Sequence, residues 1–234
     1  HNILILDKIK EDEKRIWYME QTSINGWSYD VLAFQIKSEL YERQVLGDKL
    51  NNFNKSLPKP QNELAKDMMK DPYILNLTGL KQNYIETELE QAMVEKIKTV
   101  LLELGNGFSF VGNQYKLEVQ NKEYFIDLLF YHTKLHCYIV VELKNTEFKP
   151  EYAGKVNFYL SAFDDLIKDK QDNPSIGIIL CREKDKISVE YALKDINKPI
   201  GVSSYEISKY LPKDILKSLP TEDELNLHID IKEQ

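Results

Sequence analysis

The chain has 234 residues, 42% hydrophobic content and only 9 Gly and 8 Pro, enough to bury a sizeable core in one large domain or two modest ones. Its net charge of −7 excludes a protein that coats nucleic acid non-specifically, but not one with a local basic surface beside clustered carboxylates. No apolar run reaches membrane-spanning length, and the opening His1–Leu6 lacks the basic region and small-residue cleavage site of a signal peptide, so no membrane partner is expected.

Residues 1–80 read as helical, with Trp27, Val31, Phe34, Ile36, Leu40 and Val45 at roughly helical spacing. A polar, proline-punctuated loop follows over residues 51–60, then a short helix from Gln61 to Lys70 that Asp71-Pro72 ends. The segment holds 11 basic and 12 acidic residues, against 20 and 26 in the rest, and contains no metal-binding cluster. Its spaced cations (Lys14, Arg15, Lys37, Arg43, Lys49, Lys55, Lys59) suit phosphates, and its apolar faces suit a second subunit. A helical domain over 1–80, serving targeting or assembly as a homo-oligomer, is therefore expected before a domain over 81–234.

After Gly79 the texture changes. Leu89, Met93, Ile97, Val100 and Leu104 form one apolar stripe closed by Gly105. Short β-rich segments then follow at residues 108–111, 115–119, 124–131 and 135–144, the pattern of a meander. A helix over 150–170, a buried strand at 175–181, a helix at 187–193 and a strand at 200–205 complete an α/β fold with a mixed sheet flanked by helices. Cys137 and Cys181 lie in apolar stretches and read as free thiols in a reducing, cytoplasmic setting.

The chemistry concentrates in the meander. Asp127 sits among Tyr124, Phe125, Ile126, Leu128, Leu129 and Phe130, where a carboxylate is costly unless something pairs with it. The next strand ends in Glu142-Leu143-Lys144, and a spacing of two puts Glu142 and Lys144 on one face. Asp127 and Glu142 are 15 residues apart, so a symmetrical hairpin is expected not to oppose them directly, and twist with a short offset to bring them together. Two carboxylates can hold a hard cation such as Mg²⁺ or Mn²⁺, and a neighbouring lysine can hold the attacking water of phosphodiester hydrolysis. Glu-x-Lys alone is common; a buried acid in the preceding strand gives the triplet its weight.

The set Asp127…Glu142-Leu143-Lys144 resembles the PD-(D/E)XK nuclease signature. The stretches LLELGNGFSFVGNQYKLEV, IDLLFYHTKLHCYIVVELK, FKPEYAGKVNFYLSAFDD, NPSIGIILC and YALKDINKPIGV, within residues 84–225, are similar to the YhcG family of that group. Leu40-Tyr41-Glu42-Arg43-Gln44 and Asp71-Pro72-Tyr73-Ile74-Leu75 resemble that family's N-terminal helical domain. The resemblance implies a restriction-endonuclease-like core, a Mg²⁺ (or Mn²⁺) requirement and a DNA substrate. It also implies metal binding by Asp127 and Glu142, water activation by Lys144, and a further glutamate from the first core helix. Of Glu86, Glu88 and Glu90, Glu90 is preferred for its place after Leu89. The signature's proline is replaced by Ile126, and Lys155 stands where related nucleases often carry glutamine, one turn before Tyr159, making this pair the candidate substrate contact.

His132 and His136 flank an expected turn and have no third soft ligand beside them, which reads as turn structure and not as a zinc site. The competing reading is a catalytically inactive nuclease-fold module for nucleic-acid binding or protein assembly; intact Asp127, Glu142 and Lys144 favour the enzyme.

Overall fold

The computed structural model describes residues 1–77, 79–81 and 83–208. The described residues form two compact units, residues 1–41 and residues 42–208.

The first unit is all helical: α1 (Asn2–Lys8), α2 (Asp12–Asn25) and α3 (Tyr29–Lys37). Gly26, at φ 62°, closes α2, its amide returning to the Thr22 carbonyl, and Ser28 caps α3 by accepting from the Val31 amide. Ile5, Ile9, Tyr18, Leu32 and Leu40 make its core, with the Tyr18 hydroxyl donating to the Gln35 carbonyl and accepting from the Tyr41 amide. Ile3, Leu6, Ile16 and Ile24 remain exposed.

The second unit opens with a π-helical turn (Glu42–Leu46), then β1 (Leu50–Asn51), α4 (Phe53–Ser56), α5 (Gln61–Met68) and β2 (Tyr73–Asn76). After these come α6 (Glu86–Glu95), α7 (Ile97–Leu104), β3 (Phe108–Val119), β4 (Lys122–His132) and β5 (Cys137–Leu143). The chain continues through α8 (Pro150–Leu166), β6 (Ile176–Cys181), α9 (Lys186–Leu193) and β7 (Ile200–Ser208). Among the described residues the sheet runs β1-β7-β6-β5-β4-β3, with β2 also pairing with β7. The β3, β4 and β5 strands are antiparallel, as the meander predicts, and β5, β6 and β7 are parallel, so the sheet is mixed.

Alternation along the central strands sorts the core into two layers. Leu128, Phe130, Ile139, Val141, Leu143, Ile178 and Leu180 meet Leu89, Met93, Val100 and Leu104 of α6 and α7. Leu129, Val140, Ile179 and Val202 meet Ala153, Val156, Leu160 and Phe163 of α8 and Val189 and Leu193 of α9. Both parallel crossovers thus lie on one face, as a uniform crossover hand requires. The α8 helix approaches β6 so closely that a Cβ on Gly177 would collide with Val156 Cγ1. This seating fixes the height of α8 over the end of β5.

Four local expectations change. The single stripe of residues 89–104 breaks at Lys96 into α6 and α7, and residues 108–119 form one strand whose register shifts between Phe110 and Gly112. Residues 42–77, read as part of an all-helical domain, supply β1 and β2. Arg43, counted among cations facing phosphate, is instead buried against Glu103 at 2.5 Å and donates to the Pro72 carbonyl at 3.1 Å. Glu103 also accepts from the Ile74 amide, and the buried Lys70, its pKa pushed down to about 8 chiefly by burial, donates to the Glu103 carbonyl. Removing one partner of the Arg43–Glu103 pair would leave a buried charge, at a cost of about 3–5 kcal/mol.

His132 closes β4 with Nδ1 accepting the Leu135 amide, and His136 occupies the turn at φ 48°, so both histidines are turn structure. Cys137 and Cys181 are buried free thiols. Among the described residues no helix is long and apolar enough to cross a membrane.

Candidate active site

The β4–β5 ladder pairs Leu128 with Val141 and His132 with Cys137, a register that places Asp127 directly opposite Glu142. The 15-residue interval is therefore no obstacle to direct opposition: a four-residue turn, 133–136, matches it, and no offset is needed. One step past the last paired residues, Asp127 Oδ2 accepts the Leu143 amide at 2.8 Å, so the acid itself continues the ladder. On the other side, the β3–β4 register, flanked by Asn113↔Leu128 and Tyr115↔Ile126, sets Gln114 opposite Asp127.

Glu142 is fully buried. Its Oε1 receives Lys155 Nζ at 2.5 Å and Lys144 Nζ at 3.0 Å, while its Oε2 has no hydrogen-bond partner. Burial, then the charge of Glu142, raises the Asp127 pKa to about 6, against the opposing pull of the Leu143 amide and the two lysines. For Lys144, burial is the largest single influence and lowers the pKa. The hydrogen bonds and charges of Glu86 and Glu142 together outweigh it, and the net shift is upward. Lys144 is therefore an ammonium throughout the neutral range and serves as a donor and positive charge, not as a base.

Of the three helix glutamates, Glu86 reaches the group: its Oε2 lies 2.7 Å from Lys144 Nζ. The preferred Glu90 is instead occupied by the side-chain amides of Asn113, at 2.8 Å, and Gln114. Glu86 is the first residue of α6 and extends past the helix end, whereas Glu90 sits one turn further in, over β3. Glu90 is thus bound to Gln114, the residue opposite Asp127 in the β3–β4 register. Glu88 turns back to cap the helix by accepting the Ile85 amide.

Lys155 rises from α8 to Glu142 with Tyr159 beneath it, ring centroid 5.2 Å from Nζ. Tyr159 is only 4% exposed, so of this pair Lys155 presents the accessible group. Next to Tyr159, the partly exposed Phe158 packs against Tyr124 of β4.

Among the described residues no three His, Cys, Asp or Glu side chains form a ready metal cage. The acids at the centre are two, Asp127 and Glu142, and the unpartnered buried Glu142 Oε2 is the oxygen left for a ligand. A hard divalent cation, which takes oxygen ligands and keeps several waters, suits such a partial donor set.

A model of the YhcG PDDEXK nuclease domain matches residues 66–220, and one of the DUF1016 N-terminal domain matches residues 1–43. YhcG of Escherichia coli (strain K12), a protein curated under a nuclease name, is 33% identical over 200 residues, covering 85% of this chain and 53% of that protein. The chain thus spans about half the length of this curated relative. An EndoMS–dsDNA2 complex shares 14% identity at a TM-score of 0.37, covering 59% of this chain and 48% of that one. A repair endonuclease from Pyrococcus abyssi shares 12% at a TM-score of 0.35, covering 55% and 50%. With a mixed sheet flanked by helices, a helical N-terminal part and a family model spanning most of its length, the chain belongs to the YhcG family of PD-(D/E)XK nuclease proteins, with their restriction-endonuclease-like core.

Proposed function

We propose that this chain is a Mg²⁺- or Mn²⁺-dependent nuclease that hydrolyses DNA phosphodiester bonds at the Asp127, Glu142 and Lys144 centre. The observation that carries the reading is the direct opposition of Asp127 and Glu142, with a buried, unpartnered Glu142 oxygen and a lysine ammonium beside it. Asp127 and Glu142 would hold the cation through their carboxylate oxygens. A bound divalent cation supplies polarisation of the phosphoryl oxygen and acidification of a water. Lys144 donates to the attacking water and offsets the charge that develops on the phosphoryl oxygens. Glu86 keeps the Lys144 ammonium in place, and Lys155, supported by Tyr159, offers a cation to a substrate phosphate. Glu90 acts at one remove, by orienting Gln114.

The helical unit of residues 1–41 serves assembly, its exposed Ile3, Leu6, Ile16 and Ile24 meeting a second copy of the chain. The two buried, unbridged thiols suit a reducing, cytoplasmic compartment.

One observation favours the inactive module instead. Lys144 and Lys155 both neutralise Glu142 Oε1, so half of the carboxylate is satisfied without any cation. Cleavage of linear, circular, branched and single-stranded DNA in Mg²⁺, Mn²⁺ and EDTA separates the two. Metal-supported cleavage that Glu142→Ala abolishes is expected. Binding without turnover in either metal would establish the module.

A further inference from the structure

The Lys144 backbone carbonyl is held by a tyrosine from a different strand. Tyr205, on β7 and nearly fully buried, has its hydroxyl 3.2 Å from that oxygen. A carbonyl can only accept, so this bond uses the Tyr205 proton. The Tyr84 hydroxyl, 3.1 Å from that of Tyr205, must then donate to the Tyr205 oxygen. Arg182 Nε in turn donates to the Tyr84 oxygen at 3.0 Å, its guanidinium lying 4.7 Å from the Tyr84 ring centroid. Every proton in the series is assigned by what its neighbour can accept. The relay runs one way, from the exposed Arg182 to Tyr84, to Tyr205, to the Lys144 carbonyl.

The same segment is tied at a second point, where Asn145 Nδ2 donates to the Tyr84 backbone carbonyl at 3.0 Å. Two residues beyond Tyr84 the chain enters α6 at Glu86, the residue that receives Lys144 Nζ. The backbone at 144–145 and the backbone leading into Glu86 are thus fastened to each other by contacts that involve neither catalytic carboxylate. Burial, followed by the hydrogen bond and charge of Tyr84, pushes the Tyr205 pKa up, so its hydroxyl keeps the proton the relay requires.

We propose that Tyr205, Tyr84 and Arg182 are positioning residues that fix the Lys144 backbone and the Glu86 segment together, and so place the Lys144 ammonium beside Glu142. The catalytic meaning of this placement rests on the nuclease reading; the placement itself does not.

The test uses the full chain and two independent readouts. Limited acetylation with acetic anhydride, read by peptide mass spectrometry, reports how firmly the Lys144 ammonium is held, with the largely exposed Lys59 as internal standard. Relative Lys144 labelling is expected to rise at least threefold in Tyr205→Phe and Tyr84→Phe. In Arg182→Ala, whose altered side chain is exposed and poses no folding hazard, a smaller rise of about twofold is expected. On a cleaved duplex, Tyr205→Phe should lower kcat at least fivefold while KM stays within twofold, a split that general loosening of the fold would not give. Unchanged Lys144 labelling in folded Tyr84→Phe and Arg182→Ala overturns the proposal, whatever cleavage does. A wild-type chain that cleaves nothing overturns the nuclease reading alone, and labelling still decides the placement.

Discussion

Asp127 Oδ2 accepts the Leu143 amide at 2.8 Å, so a side chain completes the strand pairing where two backbones part. The acid is thereby fastened to the strand that carries Glu142 and Lys144. Structure and chemistry can be separated here, because asparagine keeps the accepting oxygen and loses only the charge. Asp127→Asn is expected to lower cleavage at least 100-fold with the melting temperature within about 3 °C of wild type. Asp127→Ala should lose cleavage and also about 1–2 kcal/mol of stability, since the Leu143 amide is left without its acceptor. Equal melting temperatures for the two variants would show that the bond contributes nothing to the fold.

The helix glutamates give a second prediction. Glu86→Gln removes the charge that holds Lys144 and is expected to reduce single-turnover cleavage about tenfold. Glu90→Gln alters a residue bound to Gln114, and should cost about threefold or less. The order of the two effects is the check; a larger loss in Glu90→Gln would reverse the assignment.

Lys155 Nζ sits on Glu142 Oε1, where it would compete with a cation held by that carboxylate. Replacing Lys155 with Met removes the ammonium at 2.5 Å while keeping much of the aliphatic stem over Tyr159. Mn²⁺ binding, followed by titration calorimetry on the full chain, should tighten about three- to tenfold, and DNA affinity should weaken with a salt slope shallower by about one. Binding of Mn²⁺ should vanish in Glu142→Ala. Unaltered affinity in Lys155→Met would mean that the lysine does not share the ion's place.

Buried His132 gives the stability a pH dependence with a defined sign. Burial lowers its pKa from 6.5 to about 4, so between those values the unfolded chain binds a proton that the folded chain refuses. Its contribution is full above about pH 6.5 and is lost as pH falls towards 4, on the order of 1–2 kcal/mol by pH 5. Asp127 acts in the opposite sense, because its folded pKa near 6 lets the folded chain take up the proton first. Comparing wild type with His132→Asn at pH 7.5 and pH 5 cancels the Asp127 contribution. The wild type should lose more stability than the variant, as measured by urea unfolding, and parallel losses would rule out the histidine.

The sequence made the centre legible because its signals were local. A carboxylate among apolar neighbours had to be compensated, and Glu142 and Lys144 had to share a face. What it concealed depends on distance in the chain. A helical wheel sorts Glu86, Glu88 and Glu90 by face but not by which turn comes within reach of Lys144, and in the structure that is the turn of Glu86. The two-residue β1 and four-residue β2 are too short to show a strand period, and they exist only because residues 200–208 offer pairing partners. The tyrosine relay joins residues 84, 144, 182 and 205, which no spacing rule connects.

The two short strands also protect the molecule from itself. With β1 removed, the outer side of β7 would present unpaired amides and carbonyls at Gly201 and Val202, next to strands that are almost wholly apolar. An open strand of that kind is a template for joining another chain edge to edge. A nuclease core begun at residue 81 would therefore retain every acid and lysine of its centre and still tend to aggregate. The residues between 42 and 77 thus cover an edge that would otherwise favour self-association, which ties the solubility of the core to a stretch outside the Asp127–Glu142 centre.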